Sequence, residues 1–218
     1  MEAQTAARAL ERTVRDVLAD GVFLCVRLGA GAPLVDACRA AVRGGLSLLE
    51  ITLTTPGALQ AIETLAREQG VVAGAGTVLT PADARRVADA GGRFAMSPVF
   101  DPAMIDEAHR LGLLAVPGTS TPSEILAAHR HGARLVKVFP AAVLGGAAYI
   151  RAIRGPLPDI PIVPTNGITA ETIAEYVAAG AVAVGVGGDV FPPGFTLEHV
   201  EKASRRIRSA MDAARAAP

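Results

Sequence analysis

The chain has 218 residues, half of them hydrophobic, and its 21 Lys and Arg residues are matched by 21 Asp and Glu. A net charge of zero gives none of the basic surplus that nucleic acid or an acidic membrane surface requires, so neither partner is expected. No apolar run reaches the roughly 18–20 residues of a transmembrane helix, and the length fits one domain over 1–218 with a sizeable core.

Residues 1–20, MEAQTAARALERTVRDVLAD, mix acids with arginines and lack the features of a signal or transit peptide. Leu10, Val14, Val17 and Leu18 give this stretch a helical stripe, which predicts an N-terminal helix packed on the rest of the domain. A recurrent unit then follows: a short apolar run, a loop with Gly, Thr or Pro, and an Ala-rich amphipathic segment. The runs are VFLCVR (22–27), SLLEIT (47–52), VVAG (71–74), RFAMS (93–97), LLAV (113–116), RLVKVF (134–139), IPIVP (160–164) and VAVGV (182–186). Pro56, Pro81, Pro102 and Pro122 fall near expected helix starts, and the glycines of ADAGG (88–92) and VAAGA (177–181) fall just past helix ends. Strands alternating with helices imply parallel pairing through right-handed crossovers. Eight such units in this length predict an α/β fold of the (β/α)8 TIM barrel type with an extra N-terminal helix. An open doubly wound sheet is the alternative. It would bring a glycine-rich fingerprint after its first strand, whereas AGAGT (73–77) follows the third and lacks the last glycine.

Cys25 and Cys38 are too few for a disulfide framework, and no metal-binding spacing joins them to His109, His129, His131 or His199. No metal and no cofactor is predicted, and a reducing cytoplasm is the expected compartment.

Of the 21 cationic side chains only Lys137 and Lys202 are lysines, and Lys137 interrupts the apolar run of the sixth strand. Alternation along a barrel strand sends every second side chain inward. In the second strand Leu49, Ile51 and Leu53 then face outward and Leu48, Glu50, Thr52 and Thr54 inward. In the sixth, Val136 and Val138 face outward and Leu135, Lys137 and Phe139 inward. In the first, Leu24 and Val26 face outward and Phe23, Cys25 and Arg27 inward. A carboxylate, an amine and a guanidinium would converge at the C-terminal mouth, where catalytic groups cluster in such barrels. A lone strand lysine is also compatible with a snorkelling or edge position, and a Lys–Glu pair with a structural ion pair. The cost of burying charge favours function.

The chemistry such a set can perform is imine formation. Arginine stays protonated in proteins, whereas a buried lysine can become a neutral nucleophile and attack a ketone. Glu50, in an apolar surrounding, is the candidate to move protons. Arg27 is either the neighbouring cation or a bidentate grip for a substrate carboxylate. Thr54 and Thr77 offer hydroxyls. The loops PTNGI (164–168) and VGGD (186–189) offer clustered backbone N–H groups suited to phosphate, though Gly167, Gly187 and Gly188 are equally compatible with plain turns.

EITLTTP (50–56), GAGTVLTP (74–81), MSPVFDP (96–102), VPGTSTPSE (116–124), VKVFPA (136–141) and VGVGG (184–188) together resemble the bacterial 2-keto-3-deoxy-6-phosphogluconate aldolase family. This class I group also contains 4-hydroxy-2-oxoglutarate and phosphogalactonate aldolases. The resemblance implies a (β/α)8 barrel, usually a homotrimer, that cleaves a 2-keto-3-deoxy sugar acid phosphate to pyruvate and glyceraldehyde 3-phosphate. It implies Lys137 as the Schiff-base residue, Glu50 as acid/base, Thr77 as a ligand of the pyruvyl carboxylate, and Pro98 and Phe139 as apolar walls. The sequence departs from the pattern at three places. Thr54 stands where many members carry a carboxylate-gripping arginine, and Arg27 is expected to take over that contact. The strand-seven TGG is Thr165–Asn166–Gly167 here. Gly188 stands where a phosphate-binding serine is common. A phosphosugar isomerase or synthase that forms no imine is the competing enzyme class, and a non-catalytic binding barrel a third.

Overall fold

Residues 2–217 are described by the structure, a computed structural model. Helix α1 (Glu2–Asp20) leads into β1 (Val22–Val26), α2 (Leu34–Arg43), β2 (Leu48–Thr52), α3 (Ala58–Leu65) and β3 (Val72–Gly76). Then come α4 (Pro81–Asp89), β4 (Phe94–Met96), α5 (Pro102–Arg110), β5 (Leu114–Val116), the two-residue β6 (Gly118–Thr119) and α6 (Pro122–Arg130). The chain finishes with β7 (Val136–Val138), α7 (Gly146–Arg154), β8 (Ile162–Pro164), α8 (Ile173–Ala178), β9 (Val184–Val186) and α9 (Leu197–Ala216). Every apolar run of the sequence contains or overlaps a strand, β3 running two residues past VVAG, and the short β6 is an addition to the expected set. No described helix is long and apolar enough to cross a membrane.

The local rules are visible at the helix starts. Pro81, Pro102 and Pro122 each open a helix, where the missing N–H costs nothing. Thr80 with Asp83 and Thr121 with Glu124 form reciprocal capping boxes in front of α4 and α6. Pro56 is the exception, since α3 starts at Ala58 after Gly57.

All strand pairs are parallel. Six strands form one curled sheet in the order β5-β4-β3-β2-β1-β9, and three form a second in the order β6-β7-β8. The sheets adjoin where β5 passes through Pro117 into β6 and where Thr165, just past β8, bridges to Gly185 of β9.

Alternation divides the core into two layers. Leu24, Val26, Leu49, Ile51, Val136 and Val138 pack outward against the helices. Phe23, Leu48, Val72, Phe94, Leu114, Leu135 and Val163 pack inward, with the Phe23 and Phe94 rings edge-to-face at 5.1 Å. Leu10, Val14 and Val17 of α1 join this inner layer, so the helix stoppers the amino ends of the strands. Arg93 fastens it by donating to Asp16 at 2.6 Å, and Asp20 accepts from Ser47 Oγ at 2.5 Å and from the Val22 N–H at 3.0 Å. Leu18, expected on the buried stripe, is instead 42% exposed, because it lies about 100° round the helix from Val17.

Candidate active site

Glu50 and Cys25 are register partners on β2 and β1, so their side chains leave the sheet on the same face. On β7, Lys137 is paired with Gly118 of β6 and Val163 of β8, and its carbonyl accepts from Thr119 Oγ1 at 2.9 Å. The unforeseen strand β6 thus holds the lysine-bearing strand in place. Lys137 Nζ stands 3.7 Å from Glu50 Oε1 and 5.1 Å from the centre of the Phe139 ring.

Both charged groups are withdrawn from water, Glu50 being 1% and Lys137 5% exposed. Burial raises the Glu50 carboxyl above the usual glutamate range, and the opposing pull of Lys137 and then Arg27 does not cancel it. Its second oxygen, Oε2, is buried without a hydrogen-bond partner. Burial, reinforced by Glu50, pushes the Cys25 thiol up to about 12, so it is a neutral wall of the site.

These groups line a cavity of about 380 Å³ at the carboxyl ends of the strands. Arg27 projects from the residue after β1, Thr77 from the residue after β3 and Pro98 from the loop after β4; Phe139 follows β7. Arg27 is exposed at the mouth, and its Nη2 donates to Thr77 Oγ1 at 3.4 Å. Thr165, Gly167, Gly187 and Gly188 line the far side. A Cβ at Gly187 would come within 2.8 Å of the Cys25 carbonyl oxygen, so this loop lies against β1 only as glycine.

Backbone strain is concentrated here. Thr77 has φ of 58° and Asn166 φ of 87°, the only non-glycine residues with positive φ among those described. A β-branched residue in that region is an outlier, with a cost of about 1–3 kcal/mol, and such strain clusters at functional sites.

One expected residue is not brought in. Thr54 is exposed and does not line the cavity; its hydroxyl lies 3.1 Å from Thr52 Oγ1 instead. The inward reading assumed that the strand continues, but β2 stops at Thr52, where the Thr55 N–H donates to the Thr52 carbonyl in a turn. In the other direction, Ile168, Thr169, Val186 and Asp189 line the cavity without having been singled out. Val186 ends β9, and the other three belong to the two glycine-rich loops, whose path is set by tertiary packing and not by any local periodicity.

The family described as KDPG and KHG aldolase matches residues 20–204. A probable 2-dehydro-3-deoxy-6-phosphogalactonate aldolase of Rhizobium meliloti is 39% identical over 177 residues, spanning 80% of this chain and 83% of that one. The KHG/KDPG aldolase of Escherichia coli K12 is 34% identical over 184 residues, spanning 83% and 86%. A crystal structure of the KDPG aldolase of Legionella pneumophila, with pyruvate captured at low pH as a covalent carbinolamine intermediate, superposes with a TM-score of 0.76. It is 29% identical and spans 91% of this chain and 96% of that one.

Proposed function

This chain belongs to the KDPG and KHG aldolase family, and on that premise we propose that it cleaves 2-keto-3-deoxy-6-phosphogluconate to pyruvate and glyceraldehyde 3-phosphate through an imine on Lys137. The observation that carries the reading is the buried Lys137–Glu50 pair at 3.7 Å, with Glu50 Oε2 free to take a proton.

The Lys137 amine adds to the C2 ketone, and Glu50 relays the protons that turn the carbinolamine into an iminium and water. The ionised Glu50 carboxylate then removes the proton of the C4 hydroxyl. The C3–C4 bond breaks, its electron pair enters the iminium as an enamine, and the aldehyde departs. Glu50 returns its proton to C3, and water hydrolyses the imine to pyruvate and free lysine. Arg27 and Thr77 hold the substrate carboxylate, and Pro98 and Phe139 wall the pyruvyl group. The loops of Thr165, Gly167, Gly187 and Gly188 receive the phosphate through backbone N–H groups.

The two sheets support a single (β/α)8 barrel domain over 1–218 with α1 packed across its base: all pairing is parallel, and the sheets adjoin at two seams. A homotrimer is the assembly carried over from the resemblance, the proposed chemistry calls for no cofactor, and two free cysteines suit a reducing, cytoplasmic compartment. Sedimentation of the purified chain reads its size.

Borohydride reduction with pyruvate, followed by peptide mass spectrometry, tests the reaction. A reduced pyruvyl adduct on Lys137 is expected; folded protein with Lys137 unmodified would overturn the imine and favour an isomerase or synthase. The name of the Rhizobium meliloti relative favours one second reading, the C4 epimeric phosphogalactonate substrate. Relative kcat/KM for the two epimers and for 4-hydroxy-2-oxoglutarate decides among them.

A further inference from the structure

We propose that Thr55 is a positioning residue for Arg27, acting through the two backbone groups that flank it. The inference rests on the reading of Arg27 as the carboxylate ligand. The Leu28 N–H donates to Thr55 Oγ1 at 3.2 Å, and Thr55 Oγ1 donates to the Val26 carbonyl at 3.3 Å. One hydroxyl therefore straddles the arginine on both sides, at the point where β1 ends and its ladder bonds stop.

Proton accounting gives this contact a direction. Thr52 Oγ1 lies 3.0 Å from Thr55 Oγ1 and 3.1 Å from Thr54 Oγ1. The Val26 carbonyl has no hydrogen to give, so the Thr55 hydrogen points to it. Thr52 must then donate to Thr55, and Thr54 to Thr52. Each hydroxyl donates once, and Thr55 accepts twice. The chain Thr54–Thr52–Thr55 runs from an exposed end into a buried one, Thr52 being 0% and Thr55 3% exposed. Successive hydroxyl bonds of this kind polarise one another.

Arg27 needs such an anchor. It is exposed, its contact to Thr77 is long at 3.4 Å, and its other side-chain partner is the neutral Cys25 thiol. Leu28 is 7% exposed, so removal of the Thr55 hydroxyl leaves a buried N–H without a partner and frees the strand end that aims the guanidinium.

The test is a double-mutant cycle with Arg27→Ala on steady-state aldol cleavage, with thermal unfolding and borohydride trapping of the same proteins. Thr55→Val is expected to raise KM roughly tenfold, a loss of the size left by one unsatisfied group, with kcat within about twofold and Lys137 still fully trapped at saturating pyruvate. Thr55→Ser should restore KM, and Thr55→Val should add nothing in the Arg27→Ala background. Should Thr55→Val not fold, Thr52→Val breaks the chain one link earlier and should raise KM by a smaller factor, again only when Arg27 is present. A fall in melting temperature with KM unchanged, or an equal rise of KM with and without Arg27, would overturn the proposal. Arg27→Ala with unchanged KM would overturn the carboxylate reading and the proposal together, whereas absent trapping in the unmodified protein would strike the imine itself.

Discussion

Gly76 on β3 leaves the space that the Glu50 carboxylate of β2 occupies: a Cβ at position 76 would collide with Glu50 Oε1. Neither the carboxylate nor the β2–β3 ladder can yield without moving Oε1 relative to Lys137. Gly76→Ala should therefore lower kcat by about a hundredfold, the usual effect of a displacement near 1 Å, while far-UV circular dichroism stays unchanged. Full activity in this variant would show that the carboxylate position is not constrained.

Burial holds the Glu50 carboxyl above its usual value of 4.5. The acid limb of the kcat/KM profile should accordingly lie above that value, because on the proposed mechanism protonation removes the base that accepts the C4 hydroxyl proton. Glu50→Gln should lower kcat by about 10²–10⁴-fold and abolish the limb. The same shift acts on stability. Between the unfolded and folded values the native state binds more protons, so its contribution is intact below 4.5 and is lost as pH rises through the folded value. Urea titrations across this range should show that decline in the unmodified protein and not in Glu50→Gln.

Arg27→Ala should raise KM for the keto acid roughly 10–100-fold, the equivalent of one or two hydrogen bonds to a charged group. Steady-state kinetics separates KM from kcat, and kcat is expected to be the less affected.

Burial pushes the thiols of both Cys25 and Cys38 up to about 12. Despite its place in the cavity wall, Cys25 should react with iodoacetamide at pH 8 on the order of a thousandfold more slowly in the folded chain than in urea. Mass spectrometry of the alkylated peptides gives the rate at each thiol. Rapid labelling of Cys25 in the native state would contradict a neutral wall.

Thr121→Ala removes the acceptor for the Glu124 N–H at the start of α6. It should cost about 1 kcal/mol of stability, as N-cap losses do, with KM and kcat unaltered. Denaturant midpoints at constant slope measure it.

Much of the site was legible because alternation in a parallel strand is strict. Leu48 and Leu135 enter the inner layer while Leu49 and Val136 enter the outer one, and this alone turns Glu50 and Lys137 towards each other. What the alternation could not supply is where a strand stops. It carries position 54 inward, but the turn after Thr52 sends that hydroxyl to the surface. Leu18 shows the same limit at a helix edge, where one residue of rotation separates buried from exposed. The left-handed backbone at Asn166 suits an asparagine, whereas that at Thr77 runs against the preference of a β-branched residue and is imposed by its surroundings. The bonds of Thr55 to β1 join residues 27 and 29 positions apart in sequence, and nothing local announces them.

The inner layer that α1 seals has a kinetic consequence. Phe23, Leu48 and Leu135, each two residues before a cavity-lining side chain and each fully buried, leave the cavity a dead end. Reactants and products therefore share one doorway. On the proposed imine mechanism the three-carbon fragment is tethered at the bottom of that blind alley, so the aldehyde above it must depart first, and hydrolytic water can reach the tether only through the space it vacates. Under that mechanism release is ordered, with pyruvate last, and in the reverse direction pyruvate must load before any aldehyde is productively received.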